Sequence, residues 1–289
     1  MNDKMLSLAG MFAEAERKKL PLTEYLLEYN FSETDMSKEE ILAEMKRLLA
    51  VMEAAIEHGL TGVRSQSGLS GGEGVALKNY VEKSLLGAKA MDAVTFAVAA
   101  AESNAAMGRI VAAPTAGASG ILPGVFFALK KHYALSEDDL AKGLVVAGSI
   151  GTVIAARASL AGALGGCQAE CGSAAAMAAG AAVAMLGGSP AQTGTAVAIV
   201  FNNVLGLVCD PVGGLVEIPC IKRNGACALQ AMLAADMALS GIQSFIPADE
   251  AIDAMKSVGD MLPCALRETA EGGFAAAPTA VAWTEKYFG

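Results

Sequence analysis

Residues 170–210, ECGSAAAMAAGAAVAMLGGSPAQTGTAVAIVFNNVLGLVCD, decide the fold, because no charged side chain lies between Glu170 and Asp210. A window of this length is sufficient for a helix that spans a membrane. It consists mainly of Ala and Gly, however, and GGSPAQTG (residues 187–194) interrupts it. Ala-rich segments partition weakly into bilayers. The stretch therefore favours helices buried inside a protein, and a membrane span is the alternative.

Outside this stretch, helical segments alternate with Gly/Pro loops. The predicted helices cover residues 89–108, 122–133, 137–157, 172–186, 191–207, 224–240 and 248–261. Few stretches alternate polar and apolar residues as β-strands do, so only Ile110-Val111 and residues 212–218 are candidates for short extended pieces. The predicted fold is mostly α, an Ala/Gly-rich helical domain with buried central helices whose Gly/Pro loops form the functional site.

Residues 1–60 carry most of the net negative charge and are predicted to form two amphipathic helices packed on the rest of a single domain, 1–289. Ser37 and Glu40 form a capping box, and this helix should end near Gly59 with a left-handed cap. The polar loop 61–74, TGVRSQSGLSGGEG, follows. The charged N-terminal segment MNDKMLSLAGMFAEAERKK lacks the apolar core of a secretory signal.

Composition excludes some functions and leaves others open. A net charge of −9 argues against nucleic-acid binding, which requires a basic face. With only two histidines, His58 and His132, a His-rich zinc site is nearly excluded, and both are assigned to helix ends. A mean hydropathy of +0.44 keeps a helical membrane protein or carrier as an alternative. Six cysteines without a secretory signal indicate cytosolic thiols, either core residues or metal ligands.

Three cysteines stand among Gly and Pro, which place a side chain on a turn: Cys167 in GGCQAECG, Cys209 in GLVCDPVGG and Cys220 in EIPCIKRNG. The Cys-x10-Cys interval fits neither a zinc finger nor a ferredoxin. Three such residues allow a cluster held by three thiolates, and the alternative is that each is a small buried hydrophobe. Of the remaining cysteines, Cys227 and Cys264 resemble ordinary buried or capping residues, and Cys171, four residues after Cys167, could lie on the same face of a starting helix.

Two loops offer polar groups for a small ligand. Residues 109–124, RIVAAPTAGASGILPG, contain the Thr115 hydroxyl and free amides near Gly117 that could hold a carboxylate, or could form a structural turn. Ser65 and Ser67 lie in the polar loop and either bind a polar ligand or face solvent. Next to the cysteines, Glu170 and Lys222 are candidates for a base or counter-charge, with an ordinary ion pair as the alternative.

Four segments together resemble the α chain of bacterial iron–sulfur L-serine dehydratases. They are NAAMGRIVAAPTAGASGILPG (104–124), GGCQAECGSAAA (165–176), FNNVLGLVCDPVGGLVEIPCIKRNGA (201–226) and LRETAEGGFAAAPT (266–279). The similarity extends over nearly the whole chain. The segment from Cys209 to Cys220 is far more specific than an isolated glycine motif.

The resemblance implies a PLP-independent lyase that dehydrates L-serine to aminoacrylate, which then yields pyruvate and ammonia. It implies a 4Fe–4S cluster on Cys167, Cys209 and Cys220 with one iron open. Substrate carboxylate binding is then expected at Thr115 and Gly117, with Ser65 and Ser67 closing over the site. The base is unknown, with Glu170 and Lys222 as candidates. Some single-chain relatives place a C-terminal Cys on the open iron, but the ending Lys-Tyr-Phe-Gly289 has none.

The same resemblance implies partners and a setting. A separate β chain, often with a regulatory amino-acid-binding domain, is expected to complete the enzyme, as is an oligomeric assembly. We expect a cytoplasmic protein of amino-acid degradation and gluconeogenesis that binds neither nucleic acid nor membrane. The alternatives are a related iron–sulfur lyase acting on threonine or cysteine, an iron–sulfur sensor, and the membrane protein or carrier named above.

Overall fold

A computed structural model of the protein describes residues 6–289, so the first five residues of the N-terminal segment lie outside the described part. Within residues 6–289 there is no β-strand, which confirms the mostly α fold. The helices are α1 (Leu8–Lys18), α2 (Leu22–Glu33), α3 (Lys38–Gly59), α4 (Glu73–Tyr80), α5 (Gly87–Ala105), α6 (Ile121–Tyr133), α7 (Glu137–Arg157), α8 (Gly162–Gly165), α9 (Ser173–Met185), α10 (Pro190–Val204), α11 (Cys220–Leu239), α12 (Ala248–Met261) and α13 (Pro278–Phe288).

The uncharged stretch forms the centre of this fold. Its first half is α9, in which every residue from Ser173 to Val183 is buried. A helix that is apolar on all sides is buried in the core. Small side chains make this possible, since a Cβ on Gly180 would lie only 2.4 Å from Ile150 Cδ1 of α7. The second half is α10, and α6, α7, α10 and α11 all pack on α9. The prediction of buried central helices is confirmed.

Among the helices of residues 6–289, one has the length and composition of a membrane span. It is α7, and it lies outside the uncharged stretch 170–210 that suggested a span. Within its most apolar 18-residue window, 61% of the residues are buried inside the protein. The helix begins at a capping box formed by Ser136 and Asp139. It packs on α9, α3 and α2, as a core helix does.

The N-terminal region contains three helices, so the prediction of two is wrong. Pro21 stands in an extended conformation at the N-cap of α2 and separates it from α1. The third helix, α3, begins at the predicted capping box, with both hydrogen bonds between Ser37 and Glu40 present. These helices pack on α5, α7 and α10.

The end of α3 is predicted at the correct residue for the wrong reason. Gly59 does not adopt a left-handed conformation, and the next residue, Leu60, has φ −71. The glycine is required by packing, because a Cβ at Gly59 would lie 1.9 Å from the carbonyl oxygen of Ala99 in α5. The close approach of α3 to α5 is a long-range contact that a local cap pattern does not encode.

Helix α4 begins at the end of the predicted polar loop and was not expected. Its start depends on the buried carboxylate of Glu102, which accepts hydrogen bonds from the backbone N of Glu73 (2.7 Å) and of Gly74 (2.9 Å). A carboxylate stabilises the free N–H groups at a helix N-terminus. Because this cap comes from another helix, the loop sequence alone does not show it.

Two smaller predictions are also wrong. Neither Ile110-Val111 nor residues 212–218 form strands, and Val212–Gly214 is a short 3-10 turn. Gly213 in that turn has φ +60, and a Cβ there would lie 3.2 Å from both Trp283 and Phe288 of α13. The turn is therefore shaped by its contact with the C-terminal helix.

Candidate active site

Cys167 lies between α8 and α9, immediately before a wide π-helical turn over Gln168–Gly172. Gln168 is fully buried and fixes this turn to the rest of the protein. Its backbone N donates to the carbonyl of Leu207 (3.0 Å), and its side-chain Nε2 donates to the carbonyl of Met255 (3.0 Å). Single π-helical turns in otherwise α-helical segments are frequent at functional sites.

Cys209 is held by a segment that lies far from it in the sequence. Its backbone N donates to the carbonyl of Leu266 (3.0 Å), and its carbonyl accepts from the backbone N of Glu268 (2.7 Å). The two segments form an isolated parallel bridge between Cys209 and Arg267. The C-terminal LRET sequence therefore lies against the second cysteine.

Cys220 is the first residue of α11, so the prediction that it stands on a turn rather than a helix is wrong. Pro219 precedes it, and proline lacks the N–H that would continue a helix backwards. A side chain in the first turn of a helix experiences the positive end of the helix dipole, which favours a thiolate.

Asn224 joins the Cys220 helix to the Thr115 loop. Its Nδ2 donates to the carbonyls of Gly117 (2.7 Å) and Cys220 (2.9 Å), while its Oδ1 accepts from the backbone N of Gly120 (2.9 Å). The side chain is 0% exposed, and the amide hydrogens and oxygen are all used. This residue fixes the loop relative to the cysteine.

Arg223, one turn into α11, is the cation of the site. Its guanidinium donates to the carbonyl of Val208 (2.8 Å) and forms an ion pair with the buried Asp210 (2.8 Å). Asp210 is held in turn by the backbone N of Phe274 (2.7 Å). The guanidinium charge also lowers the pKa of the Cys167 thiol, so Arg223 acts on the first cysteine while it is bound to the segment of the second.

The three predicted cysteine ligands act on one another electrostatically, as groups that share one site do. Burial raises the pKa of Cys220 to about 12, with a further contribution from the charge of Cys167. Burial raises the pKa of Cys209 as well, and the charges of Cys167 and Cys220 add to it. A hydrogen bond from Cys171, with the Arg223 charge, lowers the pKa of Cys167 despite its burial.

Glu170 is a buried carboxyl group that faces the Thr115 loop. The Thr115 hydroxyl donates to Glu170 Oε1. Gly117 is a glycine because a Cβ there would lie 2.6 Å from the same oxygen. Burial raises the pKa of Glu170, the Thr115 hydrogen bond opposes this, and the charge of Glu268 raises it further. Thr115, Gly117 and Glu170 are thus brought together, whereas the sequence linked Thr115 and Gly117 to a substrate carboxylate.

Gly162, at the start of α8, lies where Cys209, Glu268 and Glu170 come close together. A Cβ on this residue would lie 2.9 Å from Cys209 Sγ, 3.3 Å from Glu268 Oε2 and 3.4 Å from Glu170 Oε2. Two carboxylates and a thiol therefore surround one position, which any side chain larger than hydrogen would fill.

A second grouping of donor atoms overlaps the first. The ligand atoms of Cys167, Glu170 and Cys171 all lie within 4.8 Å of one another. The Cys171 thiol is buried, and the neighbouring thiols of Cys167 and Cys227 raise its pKa. Such a set has the dimensions of a site for one metal ion, whereas a cluster spreads its ligands over several irons. Ligation by Cys167, Cys209 and Cys220 stays a prediction.

Ser65 and Ser67 lie beside a buried carboxylate near the third cysteine. Ser67 Oγ donates to Glu217 Oε1 (2.7 Å), and Ser70 Oγ donates to Glu217 Oε2 (2.7 Å). Ser65 Oγ is 3.1 Å from Ser67 Oγ. The loop is therefore ordered against the segment that leads into Cys220, and its role in substrate binding stays a prediction.

Lys222 points away from the thiols. Its ammonium forms an ion pair with Glu73 (2.7 Å) at the start of α4, and its side chain is 64% exposed. This is the ordinary ion pair that the sequence left as the alternative.

Several residues of the site were not singled out from sequence: Gly162, Asp210, Arg223, Asn224 and Glu268. Arg223 and Asn224 follow Cys220 by three and four residues, a spacing that places them one helical turn from it. That signal was available once a helix start at Cys220 was considered. The role of Glu268 had no local signal, because its contact with Cys209 is long-range.

An all-helical domain that holds three buried cysteines, the carboxyl groups of Glu170, Asp210 and Glu268, and Arg223 in neighbouring segments defines a candidate thiolate-based metal site of an enzyme. The profile of the family described as "Serine dehydratase alpha chain" matches residues 17–275. The chain belongs to this family, whose members are lyases.

Similar proteins include α chains and longer enzymes. The chain is 50% identical to the probable L-serine dehydratase, alpha chain, of Bacillus subtilis, covering 95% of this chain and 92% of the relative. It is 41% identical to the L-serine dehydratase, alpha chain, of Peptoniphilus asaccharolyticus, covering 90% of each. It is 39% identical to the L-serine dehydratase TdcG of Escherichia coli, covering 83% of this chain but only 55% of the relative.

Proposed function

We propose that the chain is the catalytic α chain of an L-serine ammonia-lyase, which converts L-serine to pyruvate and ammonia. The observation that carries this proposal is the 50% identity to an L-serine dehydratase α chain over 95% of the sequence. In the proposed reaction, serine loses its α-proton and β-hydroxide to give aminoacrylate and water. Aminoacrylate tautomerises to the imine, which takes up water and releases ammonia and pyruvate.

A 4Fe–4S cluster on Cys167, Cys209 and Cys220 is part of the proposal. Support comes from the burial of the three thiols, from their mutual electrostatic effects, and from an arginine beside Cys167 that offsets negative charge. Gly162 adds to the fit, because its missing side chain leaves the position beside Cys209 Sγ clear. When bound, such a cluster supplies a Lewis acid that stabilises the departing hydroxide.

The protein's own groups have distinct roles in this proposal. Arg223 stabilises the Cys167 thiolate, and Asp210 holds Arg223 in place. We assign Glu170 as the residue that holds a proton on its carboxyl oxygens. Burial favours the protonated form of this carboxyl group, and the Thr115 hydroxyl orients Oε1. Ser65 and Ser67, positioned through Glu217, are proposed to close over the bound serine.

A partner chain is also proposed. The names of the Bacillus and Peptoniphilus relatives describe α chains, which implies a separate β chain. The Escherichia coli enzyme is longer and matches this chain over 55% of its length. A single domain over residues 1–289 is supported by the packing of α1–α3 on α10, α7 and α5. Oligomeric assembly and a cytoplasmic location stay predictions.

The proposal is tested by an anaerobic assay of the purified chain, alone and with its β chain, on L-serine, L-threonine and L-cysteine. We expect pyruvate and ammonia to form from L-serine in equal amounts, with serine giving the largest kcat/KM of the three. Sulfide release from cysteine as the dominant reaction would indicate a desulfidase instead. Absence of pyruvate from serine in every combination would contradict the proposed function.

A further inference from the structure

The carboxylate of Glu268 differs from the other acidic groups of the site because it is unpartnered. Glu170 accepts from Thr115, and Asp210 is paired with Arg223. Glu268 is exposed to solvent, and within residues 6–289 neither of its carboxylate oxygens has a hydrogen-bond or ion-pair partner. Its Oε2 lies 3.3 Å from the Cβ position of Gly162. This carboxylate therefore points to the place where the thiol of Cys209 and the second carboxylate also meet.

The backbone holds Glu268 in this orientation against its own preference. Glu268 has φ +64, in the left-handed region that residues with a side chain rarely occupy. The hydrogen bond from its backbone N to the Cys209 carbonyl fixes the conformation. Glycine would relieve the cost, and strained residues of this kind cluster at functional sites.

The groups around Glu268 indicate which kind of ligand group this carboxylate can bind. The groups that converge with Glu268 Oε2 around Gly162 are the Cys209 thiol and the Glu170 carboxyl, and neither of them carries a positive charge. Among the described residues, the cation that acts on the Cys167 thiol is Arg223, which is already paired with Asp210. A ligand group beside Glu268 should therefore be a cation, since an uncompensated carboxylate gains most from a charge-assisted hydrogen bond.

We infer that Glu268 binds the α-ammonium group of the substrate, and that it makes the site select an amino acid over the corresponding hydroxy acid. The inference rests on the proposed function and adds the specificity residue to it. L-Serine and L-glycerate share a carboxylate, a β-hydroxyl and a configuration, and differ in carrying an ammonium or a hydroxyl at the α-carbon. A carboxylate that faces the α-substituent should favour the ammonium.

The test is the Glu268→Gln variant of the anaerobic enzyme with its β chain, compared with Glu271→Gln, an exposed carboxylate of the same loop. Hydrogen bonds to charged groups contribute about 1.5–3 kcal/mol, which corresponds to about a 10- to 100-fold change in binding. We expect the KM for L-serine to rise by that factor in Glu268→Gln and to change less than about twofold in Glu271→Gln. Iron, sulfide and the absorbance near roughly 400 nm should equal those of the wild type.

L-Glycerate, used as a competitive inhibitor, provides the second measurement. Its inhibition constant should be nearly unchanged in Glu268→Gln, so that the preference for serine over glycerate largely disappears. An unchanged KM, an equal loss of affinity for both ligands, or loss of iron from Glu268→Gln would overturn the inference. Failure of the wild-type enzyme to convert serine would instead reject the proposed function, so the two failures are distinguishable.

Discussion

The Cys209→Ser variant is expected to lose both the iron–sulfur absorbance near roughly 400 nm and the lyase activity when it is purified anaerobically. Serine replaces a soft thiolate by a hydroxyl, which is a poor ligand for iron in a cluster. The Lewis acid supplies several kcal/mol of barrier lowering, and each 1.4 kcal/mol is a factor of about ten. Activity should therefore fall by at least about 100-fold.

The matched control is Cys227→Ser. This variant makes the same chemical change at an equally buried position, since Cys209 and Cys227 are both 3% exposed. Cys227 lies in α11, as Cys220 does. It is not an expected cluster ligand, so absorbance and activity should be retained. Full activity in Cys209→Ser, or equal losses in the two variants, would reject the assignment of Cys209.

The Asn224→Ala variant is expected to cause the largest loss of stability among single substitutions at the site. Removing this amide leaves the buried N–H of Gly120 and the carbonyl of Gly117 without their partner. Each unsatisfied buried group costs about 1–3 kcal/mol, so the free energy of unfolding should fall by about 2–6 kcal/mol. That is a large share of the stability of a typical domain, about 5–15 kcal/mol.

Urea unfolding measures this loss, with Asn203→Ala in α10 as the control. Asn203 is exposed and lies in a helix, where alanine has the higher propensity. The control should therefore be unchanged or slightly more stable. A free energy of unfolding for Asn224→Ala that is indistinguishable from that of the control would contradict the role of Asn224 in joining the Thr115 loop to Cys220.

Elements that contain their own start and stop signals were predictable from sequence. Helix α7 has the bounds 137–157 that the sequence indicated, because Ser136 and Asp139 form a local capping box. The same holds for α3, which starts after Ser37. By contrast, the start of α4 depends on Glu102 of α5. The local sequence of α4 does not indicate that contact.

The functional site shows the same difference between features with a local sequence signal and features that depend on long-range contacts. A ligand role for Cys167, Cys209 and Cys220 was predicted from their Gly/Pro surroundings together with a family resemblance, whereas spacing alone left buried hydrophobes as the alternative. Thr115 and Gly117 were predicted to bind substrate, and that role stays a prediction, whereas their contact with Glu170 joins two segments that are distant in the sequence and was not foreseen. The placement of Glu268 against Cys209 required the folded chain.

The charge distribution of the site explains why an acidic protein should act on an amino acid. Carboxyl oxygens of Glu170 and Glu268 lie near Gly162, and Arg223, whose charge acts on Cys167, is paired with Asp210. A zwitterionic substrate would bring its own cation to Glu268, while its carboxylate and hydroxyl remain free for other contacts. An amino acid is therefore the substrate class that the proposed role of Glu268 favours.

Iron and acid-labile sulfide, counted per chain in the anaerobically purified wild-type protein, test the central claim most directly. Convergence of Cys167, Cys209 and Cys220 on one inorganic core predicts about four irons and four sulfides per chain. One metal ion per chain without sulfide would contradict that claim and would point instead to a mononuclear site on Cys167, Glu170 and Cys171.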